Sequence, residues 1–331
     1  MIVKSFPLIR PGVICANYQM VKIDKVLVRP DLLSICAADK RYFFGLRSQS
    51  VINKKLPMVL IHEALGTVML DCEKNIPCGT KVVMLPCGIN SQVNSNYCEN
   101  AFFRSSNADG FCQEMLNLDC REIVVIPRKL NCDVFVLSEL MSVCFQALRR
   151  IKKYLFSKVK IGIWGDGALS FLMSLLIRSY YPDSFIAVIG KHENKLDLFP
   201  VIDVGETIYA RNLSKFDVCI ECVGGNGAEQ AIDDIINTIK PLGTILLTGV
   251  SETPPRINTR KILEKGLLIL GTTRSVREDF INAINFINLL DCKIISPMFD
   301  SIFNASNEND ICNAFVNSKT GIFKTMIKLS I

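Results

Sequence analysis

The sequence predicts an α/β protein in which a mostly antiparallel β domain is interrupted by a doubly wound, parallel-sheet domain. The first observation is a series of short β-branched runs, separated by turn residues, over roughly the first 130 residues. The second is a regular alternation of strands with helices of about 10–15 residues, which starts near residue 159. The length of 331 residues also suits two domains of about 150 residues each. We expect the β domain to comprise residues 1–147 and 288–331, and the parallel-sheet domain residues 148–287.

The strands of the β domain are predicted from runs that Pro, Gly, Asn or Asp bound on both sides. These runs cover residues 25–36, 64–69, 81–86 and 121–127. Over residues 137–154 the apolar side chains recur at helical spacing, which predicts a helix. After the alternating strands and helices of the parallel-sheet domain, the sequence predicts a helix over residues 278–290 and a strand in the tail TGIFKTMIKLSI.

The parallel-sheet domain is predicted from strands that are separated by helical segments, the pattern of successive βαβ units. In chain order, its strands are VKIGIW, FIAVIG, DVCIECVGG, TILLTGV and LLILGT. The helical segments that best define it are ALSFLMSLLIRSYY and GAEQAIDDIINTIK. No internal repeat or low-complexity linker interrupts the pattern.

Composition and charge argue against a nucleic-acid-binding role. Hydrophobic residues make up 49% of the chain and charged residues 21%, as in a globular protein with a sizeable core. The net charge of +6 is small and evenly spread, and the chain has no basic stripe or aromatic platform. The excess lysine is explained by solvated surface, or by a few basic side chains that hold a phosphorylated small molecule.

The sequence predicts a cytoplasmic protein without a membrane span. Residues 1–12 lack the apolar core of a signal peptide. The most apolar stretch, residues 159–177, contains Lys160, Asp166 and two glycines, so a strand, a turn and a helix explain it better than a membrane helix. The fourteen cysteines are scattered, which indicates reduced thiols.

A dinucleotide fingerprint follows the first strand of the parallel-sheet domain. The sequence GDGALS, residues 165–170, lies between a predicted strand and a predicted helix, the context that the motif needs. Gly165 would make the tight turn, and Gly167 would let a pyrophosphate approach the helix N-terminus that Ala168 and Leu169 begin. Ser170 stands where Gly or Ala is usual, and it is small enough to keep the match.

The end of the next strand indicates NADPH rather than NADH. An NAD site places Asp or Glu there, about twenty residues after the fingerprint, to bind the ribose 2′-hydroxyl. This chain has Gly190, Lys191 and His192 instead. A cation in place of the carboxylate suits a 2′-phosphate, so we predict Lys191 as the main contact and His192 as a further one. The alternative is an exposed turn whose lysine contacts nothing.

Four residues form a candidate catalytic zinc site. The chain has two histidines, and His62 lies in LIHEALG beside Glu63. Cys36 follows a β-rich run, and Glu139 lies in LSELMSVCFQAL. A thiolate, an imidazole and a carboxylate are suitable zinc ligands that leave a position open for substrate or water. These residues are far apart in sequence, so their spacing does not establish that they meet, and a lone histidine is often structural.

The order of the motifs C-x-x-D, H-E-x-x-G, S-E-L-x-S-V and G-x-G-x-x-small resembles the zinc-dependent medium-chain dehydrogenases over essentially the full length. The resemblance implies a GroES-like catalytic domain and a Rossmann domain. It also implies that Cys36, His62 and Glu139 are zinc ligands, with Glu63 an adjacent carboxylate that exchanges with water at the metal. Asp39 is similar to the group that orients the ligand histidine. Glutamate as the third ligand is similar to polyol dehydrogenases.

Two departures from that family change the predicted site. Ala38 stands where many members carry Ser or Thr, so the proton would travel through zinc-bound water, Glu63 or the hydroxyl of Tyr42. The family's structural zinc uses four closely spaced cysteines. The comparable region here, residues 87–120, has no C-x-x-C, so we predict no structural zinc. The cysteines of that region are Cys87, Cys98, Cys112 and Cys120.

The segments CAADKRYFFG, KKLPMVLIHEALG, FRSSNADGFCQE and GKHENKLD resemble ribulose-5-phosphate reductases of the CDP-ribitol pathway. The resemblance implies reduction of D-ribulose 5-phosphate with NADPH, for teichoic acid or capsule synthesis. Arg41, Arg47 and Arg104 are candidates to bind the substrate phosphate, because arginine can hold a phosphate with two bonds. The same resemblance also implies a homodimer or homotetramer, and a cytidylyltransferase of the pathway as a possible partner.

Two alternative functions remain open at this point. One is another zinc-dependent polyol or alcohol dehydrogenase, such as one that acts on an unphosphorylated sugar alcohol. The other is a non-catalytic NADPH-binding scaffold, which the joint presence of Cys36, His62, Glu63 and Glu139 argues against.

Overall fold

A computed structural model describes residues 1–88, 96–98, 101–127, 133–202, 206–208 and 215–330. Its strands are β1 Ile2–Ser5, β2 Pro7–Arg10, β3 Val13–Ile14, β4 Asn17–Met20, β5 Val26–Ser34, β6 Met58–Val59, β7 Glu63–Asp71, β8 Lys81–Met84, β9 Cys87–Gly88, β10 Phe102–Phe103, β11 Leu116–Leu118, β12 Ile123–Val125, β13 Lys160–Trp164, β14 Phe185–Ile189, β15 Glu206–Ile208, β16 Val218–Glu221, β17 Thr244–Leu247, β18 Leu268–Gly271, β19 Phe299–Ala305 and β20 Lys324–Leu329. Its α-helices are α1 Ala37–Phe43, α2 Gln49–Lys55, α3 Ser138–Ile151, α4 Ala168–Tyr180, α5 Glu193–Leu196, α6 Ala228–Thr238, α7 Thr259–Lys265, α8 Arg277–Leu289, α9 Cys292–Ile295 and α10 Glu308–Asn317.

The chain divides into two compact units. Unit 1 comprises Met1–Ser142 and Ser275–Ile331, and unit 2 comprises Val143–Arg274. The predicted fold class, a β domain with an inserted doubly wound domain, is confirmed. The predicted boundaries at 147/148 and 287/288 stay predictions.

Unit 1 is built on a seven-stranded sheet in the order β12-β8-β7-β5-β20-β19, in which β11 also pairs with β5. Its pairs are antiparallel apart from the parallel pair β19–β20. The C-terminal strand β20 therefore lies between β5 and β19, close to the N-terminal strands. A cluster of buried apolar side chains, which includes Phe6, Leu33, Phe111 and Phe315, forms the core of this unit.

Unit 2 is a six-stranded parallel sheet in the order β15-β14-β13-β16-β17-β18. The order reverses between β13 and β16, so the loops that follow these two strands leave the sheet edge side by side. In doubly wound sheets, ligands bind at this switch point, outside the carboxyl ends of the strands. The strands β13, β14 and β16 are almost wholly buried, as the central strands of a parallel sheet with covered faces require.

The structure adds two helices, α1 and α2, in a region for which the sequence predicted only strands. Each has seven residues, about two turns, which is shorter than the window of about 11–18 residues over which helical spacing can be recognised in a sequence. Within the part of the chain that the structure describes, no helix is long and apolar enough to cross a membrane.

Candidate active site

The sheet register of unit 1 brings the first two predicted zinc ligands together. Cys36 follows β5 directly and precedes α1, and His62 directly precedes β7. Strands β5 and β7 are antiparallel neighbours, and Ser34 lies opposite Glu63 in their register. The end of one strand therefore lies beside the start of the other. One potential ligand atom from each of Cys36, His62 and Glu63 lies within 4.8 Å of the other two.

Asp39 connects the three chain segments that surround this group. Its Oδ2 accepts a hydrogen bond from the backbone N–H of Cys36 at 3.0 Å, which closes the first turn of α1. Its Oδ1 accepts from the N–H of Ile61 at 3.1 Å and from the hydroxyl of Ser105 at 2.5 Å. Burial works against the ionised carboxylate, but the charge of His62 and these bonds together lower the pKa of Asp39.

His62 lies against the same carboxylate. Its Nδ1 is 3.3 Å from Asp39 Oδ1, close enough for an ion pair, but the geometry does not complete a hydrogen bond and this buried nitrogen has no other partner. Burial by itself would lower the pKa of His62, yet interactions with Asp39 and Cys36 raise it well above its ordinary value. With Nδ1 facing a carboxylate, the other ring nitrogen is the one suited to a metal.

The backbone next to His62 is strained. Ile61 has φ +73°, a left-handed conformation that β-branched residues rarely adopt and that costs on the order of 1–3 kcal/mol. Its N–H bonds to Asp39, and its carbonyl accepts from Phe111 N–H at 2.7 Å. A Cβ on Gly110 would lie 2.4 Å from the Ile61 carbonyl oxygen, so only glycine fits there. These contacts hold His62 in one orientation against the backbone strain.

Lys324, which sequence reasoning missed, forms a buried ion pair with Glu63. Its Nζ donates to both carboxylate oxygens, at 2.7 Å to Oε2 and closer still to Oε1. Lys324 is 3% exposed and Glu63 is fully buried. Burial alone would lower the pKa of Lys324, but the charges of Glu63 and Cys36 raise it. The only signal in the sequence is a lysine that lies within the predicted strand of the tail TGIFKTMIKLSI.

Glu139, the third predicted ligand, is not a member of the group within 4.8 Å. It lies in the first turn of α3 and is 4% exposed. The pKa of Glu139 is raised to about 7, mainly by burial. The charge of Glu63 also raises this pKa, whereas the charge of His62 lowers it. Glu139 is therefore a buried carboxyl whose pKa responds to the charges of His62 and Glu63.

The residues of this group fit a zinc ion. Sulfur, nitrogen and oxygen donors are those that zinc takes in catalytic sites, where neighbouring ligand atoms are about 3–4 Å apart. The buried Nδ1 of His62 makes no hydrogen bond, but it lies 3.3 Å from Asp39 Oδ1. In metal sites, a carboxylate at this position orients the imidazole that binds the metal through its other nitrogen. Among the described residues, this is the only set of three or more such side chains that could share an ion.

The remaining residues predicted for unit 1 lie around α1 and β10. Tyr42 is buried in the apolar core, and the guanidinium of Arg47 lies 4.8 Å from the centre of its ring. Arg41 is half-buried in the last turn of α1. Arg104 is already engaged, because it donates to Glu122 Oε1 at 2.8 Å and to the carbonyl of Asp109 at 3.1 Å.

The fingerprint of unit 2 forms the loop between β13 and α4. Gly165 has φ +119°, and a Cβ there would lie 3.1 Å from the backbone of Cys222, so this position requires glycine. Gly167 precedes Ala168, the first residue of α4. A Cβ on Gly167 would meet no protein atom within 4 Å. The protein itself has room for a side chain at Gly167, and the same open space would allow a ligand to approach the backbone closely, as the fingerprint predicts.

The turn that follows β14 carries the two predicted contacts to the cofactor phosphate. Lys191 and His192 are both exposed. The backbone N–H groups of both residues donate to Asp166 Oδ2, at 2.6 Å and 2.9 Å. On the other side of β13, Glu221 accepts from the N–H groups of Gly224 and Gly249, at 2.7 Å and 2.9 Å. Buried carboxylates thus fix the loops at this edge of the sheet.

Each of the two units contains a segment that matches the model of a known protein family. Residues 22–128 match the model of the alcohol dehydrogenase GroES-like domain, and residues 189–288 match the model of the zinc-binding dehydrogenase family. The chain is 38% identical to ribulose-5-phosphate reductase 1 of Staphylococcus aureus, over 99% of each protein. It is also 38% identical to the ribulose-5-phosphate reductase of Bacillus spizizenii, over 95% of this chain and 94% of that protein.

Solved structures give the same result. The structure of Staphylococcus aureus TarJ in complex with NADPH is 35% identical, covers 100% of both chains and has a TM-score of 0.88. Escherichia coli L-idonate 5-dehydrogenase, at 17% identity and a TM-score of 0.87, shares the fold. The family resemblance of the sequence motifs is confirmed: the chain belongs to the zinc-binding alcohol dehydrogenase family and, within it, to the group of the ribulose-5-phosphate reductases.

Proposed function

We propose that this chain is a zinc-dependent reductase that converts D-ribulose 5-phosphate into D-ribitol 5-phosphate with NADPH. The observation that carries the proposal is the buried group of Cys36, His62 and Glu63, in a chain that matches ribulose-5-phosphate reductases from end to end. A scaffold without catalysis gains nothing from a buried thiol, imidazole and carboxylate within 4.8 Å of one another, since burying polar groups costs free energy.

When bound, zinc supplies Lewis-acid polarisation of the substrate ketone, and NADPH supplies the hydride. The reduction would add a hydride to C2 and one proton to the ketone oxygen, giving the alcohol and NADP⁺. Cys36, His62 and Glu139 are the proposed zinc ligands, with Glu63 beside them. Cys36 and His62 belong to one group of ligand atoms within 4.8 Å, and Glu139, in the first turn of α3, would be the third ligand.

The residues around the metal ligands have separate proposed roles. Asp39 holds His62 in place, because its carboxylate is fixed by Cys36, Ile61 and Ser105 and lies against the imidazole. Glu63 and Tyr42 are the candidates to carry the proton. Glu63 is the stronger of the two, because its carboxylate belongs to the ligand group whereas Tyr42 lies in the apolar core.

The proposed cofactor site lies at the carboxyl edge of the unit 2 sheet. Gly165, Gly167, Ala168 and Leu169 form the turn and helix start that face the pyrophosphate. The turn after β14 faces the 2′-phosphate with Lys191 and His192. The domain limits 1–147 with 288–331, and 148–287, are part of this proposal.

Arg41 and Arg47 are the proposed ligands of the substrate phosphate. Arg104 is the third candidate, and its guanidinium also donates to Glu122 and to the backbone carbonyl of Asp109. The product would serve CDP-ribitol formation for teichoic acid or capsule synthesis, with a cytidylyltransferase as the next enzyme. We further propose a cytoplasmic location, since NADPH and sugar phosphates are cytoplasmic metabolites. A homodimer or homotetramer is the oligomeric state that the family resemblance implies.

The test is a steady-state assay that compares ribulose 5-phosphate with ribulose, and NADPH with NADH, before and after chelation. We expect turnover with the phosphorylated sugar and NADPH. Chelation or Cys36→Ser should reduce it about a thousandfold, because the polarisation of the ketone contributes several kcal/mol. Cys78→Ser, at an exposed cysteine, is the matched control and should keep both zinc and turnover. Equal turnover of ribulose, or a Cys36→Ser variant that stays active, would refute the proposal.

A further inference from the structure

Asp166, the second residue of the fingerprint GDGALS, makes three hydrogen bonds to the turn that follows the neighbouring strand. All three end on a single oxygen, Oδ2. It accepts from the backbone N–H of Lys191 at 2.6 Å and of His192 at 2.9 Å, and His192 Nδ1 lies 2.9 Å away. An ionised carboxylate only accepts, so Nδ1 carries the hydrogen of this last bond. The loop after β13 is therefore joined to the turn after β14.

The carboxylate is well enclosed. The side chain of Asp166 is 11% exposed, whereas that of His192 is 59% exposed. Burial by itself would raise the pKa of Asp166, but the backbone N–H groups of Lys191 and His192, together with the His192 side chain, lower it. The turn thus stabilises the ionised aspartate, and the aspartate fixes the turn.

Gly190 shows that the two loops are fitted to each other. A Cβ at Gly190 would lie 2.7 Å from both Cβ and Oδ2 of Asp166, a distance that real Cβ atoms do not show. A side chain at residue 190 would therefore push the aspartate away from the turn. The pair of Asp166 and Gly190 forms a close contact whose effect is to define the backbone path of residues 190–192.

This contact determines which groups of the turn can bind a ligand. Because Asp166 occupies the N–H groups of Lys191 and His192, a phosphate cannot use them. The turn can offer a phosphate only its side chains, and both are exposed. Lys191 binds a phosphate more tightly when the backbone of its turn is already held in one position. A flexible turn would lose more conformational entropy when the phosphate binds.

We propose that Asp166 is a positioning residue for NADPH: it holds residues 190–192 so that Lys191 meets the 2′-phosphate, and so sets the preference for NADPH over NADH. This inference rests on the proposed use of NADPH. Asp166 acts through hydrogen-bond geometry and not through its charge, which by itself would repel a phosphate. Because one oxygen accepts all three bonds, an asparagine whose amide oxygen takes that position keeps the two backbone bonds.

The experiment measures the Kd of NADPH and of NADH separately by fluorescence titration of the full chain without substrate. We expect Asp166→Ala to weaken NADPH about tenfold and to leave NADH within twofold of wild type. Asp166→Asn should stay within threefold of wild type for both cofactors. Asp166→Ala combined with Lys191→Ala should bind NADPH no more weakly than Lys191→Ala alone. Asp183→Ala, at an exposed aspartate of the same unit, is the charge-matched control and should change nothing.

Three results would overturn the inference: unchanged NADPH affinity in Asp166→Ala, an equal loss for NADPH and NADH, or an Asp166→Asn variant as weak as Asp166→Ala. The last would show that charge matters more than geometry. Circular dichroism of each variant verifies that the fold is kept. Turnover of ribulose 5-phosphate by the wild type tests the proposed function independently, so a wild type that is active while Asp166→Ala keeps its NADPH affinity would refute only this inference.

Discussion

Replacing Lys324 by methionine tests how strongly the buried ion pair with Glu63 supports the candidate site. Methionine fills a similar volume but leaves the fully buried Glu63 carboxylate without its cation. Breaking a buried pair by removing one partner costs about 3–5 kcal/mol, because the remaining charge is uncompensated. For unit 1, which has about 200 residues, this corresponds to a decrease in Tm of roughly 6–20 °C.

The measurement is thermal and urea unfolding of chelated protein at pH 7, with Lys328→Met as control. Lys328 lies on the same strand, β20, but its side chain is exposed, so its replacement should change the free energy of unfolding by less than about 0.5 kcal/mol. The double variant Glu63→Gln/Lys324→Met removes both charges and should recover at least half of the loss. A Lys324→Met variant as stable as Lys328→Met, or a double variant less stable than Lys324→Met, would refute the reasoning.

Two further predictions concern the zinc and cofactor sites. Asp39→Asn weakens the group that orients His62, so we expect zinc affinity to fall about 10–100-fold in a chelator competition, and unchanged affinity would contradict this role. At the fingerprint, Gly165→Ala should lower the free energy of unfolding by about 1–3 kcal/mol because φ is +119°, whereas Gly167→Ala should leave it unchanged. Gly167→Ala should instead weaken NADPH at least tenfold in a binding titration; equal effects of the two variants on stability would contradict the assignment.

Several features could be predicted because short stretches of sequence determine them. The strands β13, β14, β16, β17 and β18 and the helices α4 and α6 follow from local periodicity, and the structure places them within a few residues of the predicted segments. The helices α1 and α2 were not predicted because seven residues, about two turns, are fewer than the roughly 11–18 residues over which helical spacing can be recognised. Strand β19 and helix α10, next to the C-terminus, were also not predicted.

The fold class, the fingerprint loop and the identity of the residues suited to zinc could be read from the amino-acid sequence, because residue type and spacing carry that information. Which of these residues lie together depends on the folded chain. Glu63 and Lys324 are 261 residues apart, and they pair because β7 and β20 both lie beside β5. Asp166 and the turn at Lys191 meet because β13 and β14 are neighbours. Such contacts depend on strand order and register, which are set by the packing of the whole sheet and not by any short segment.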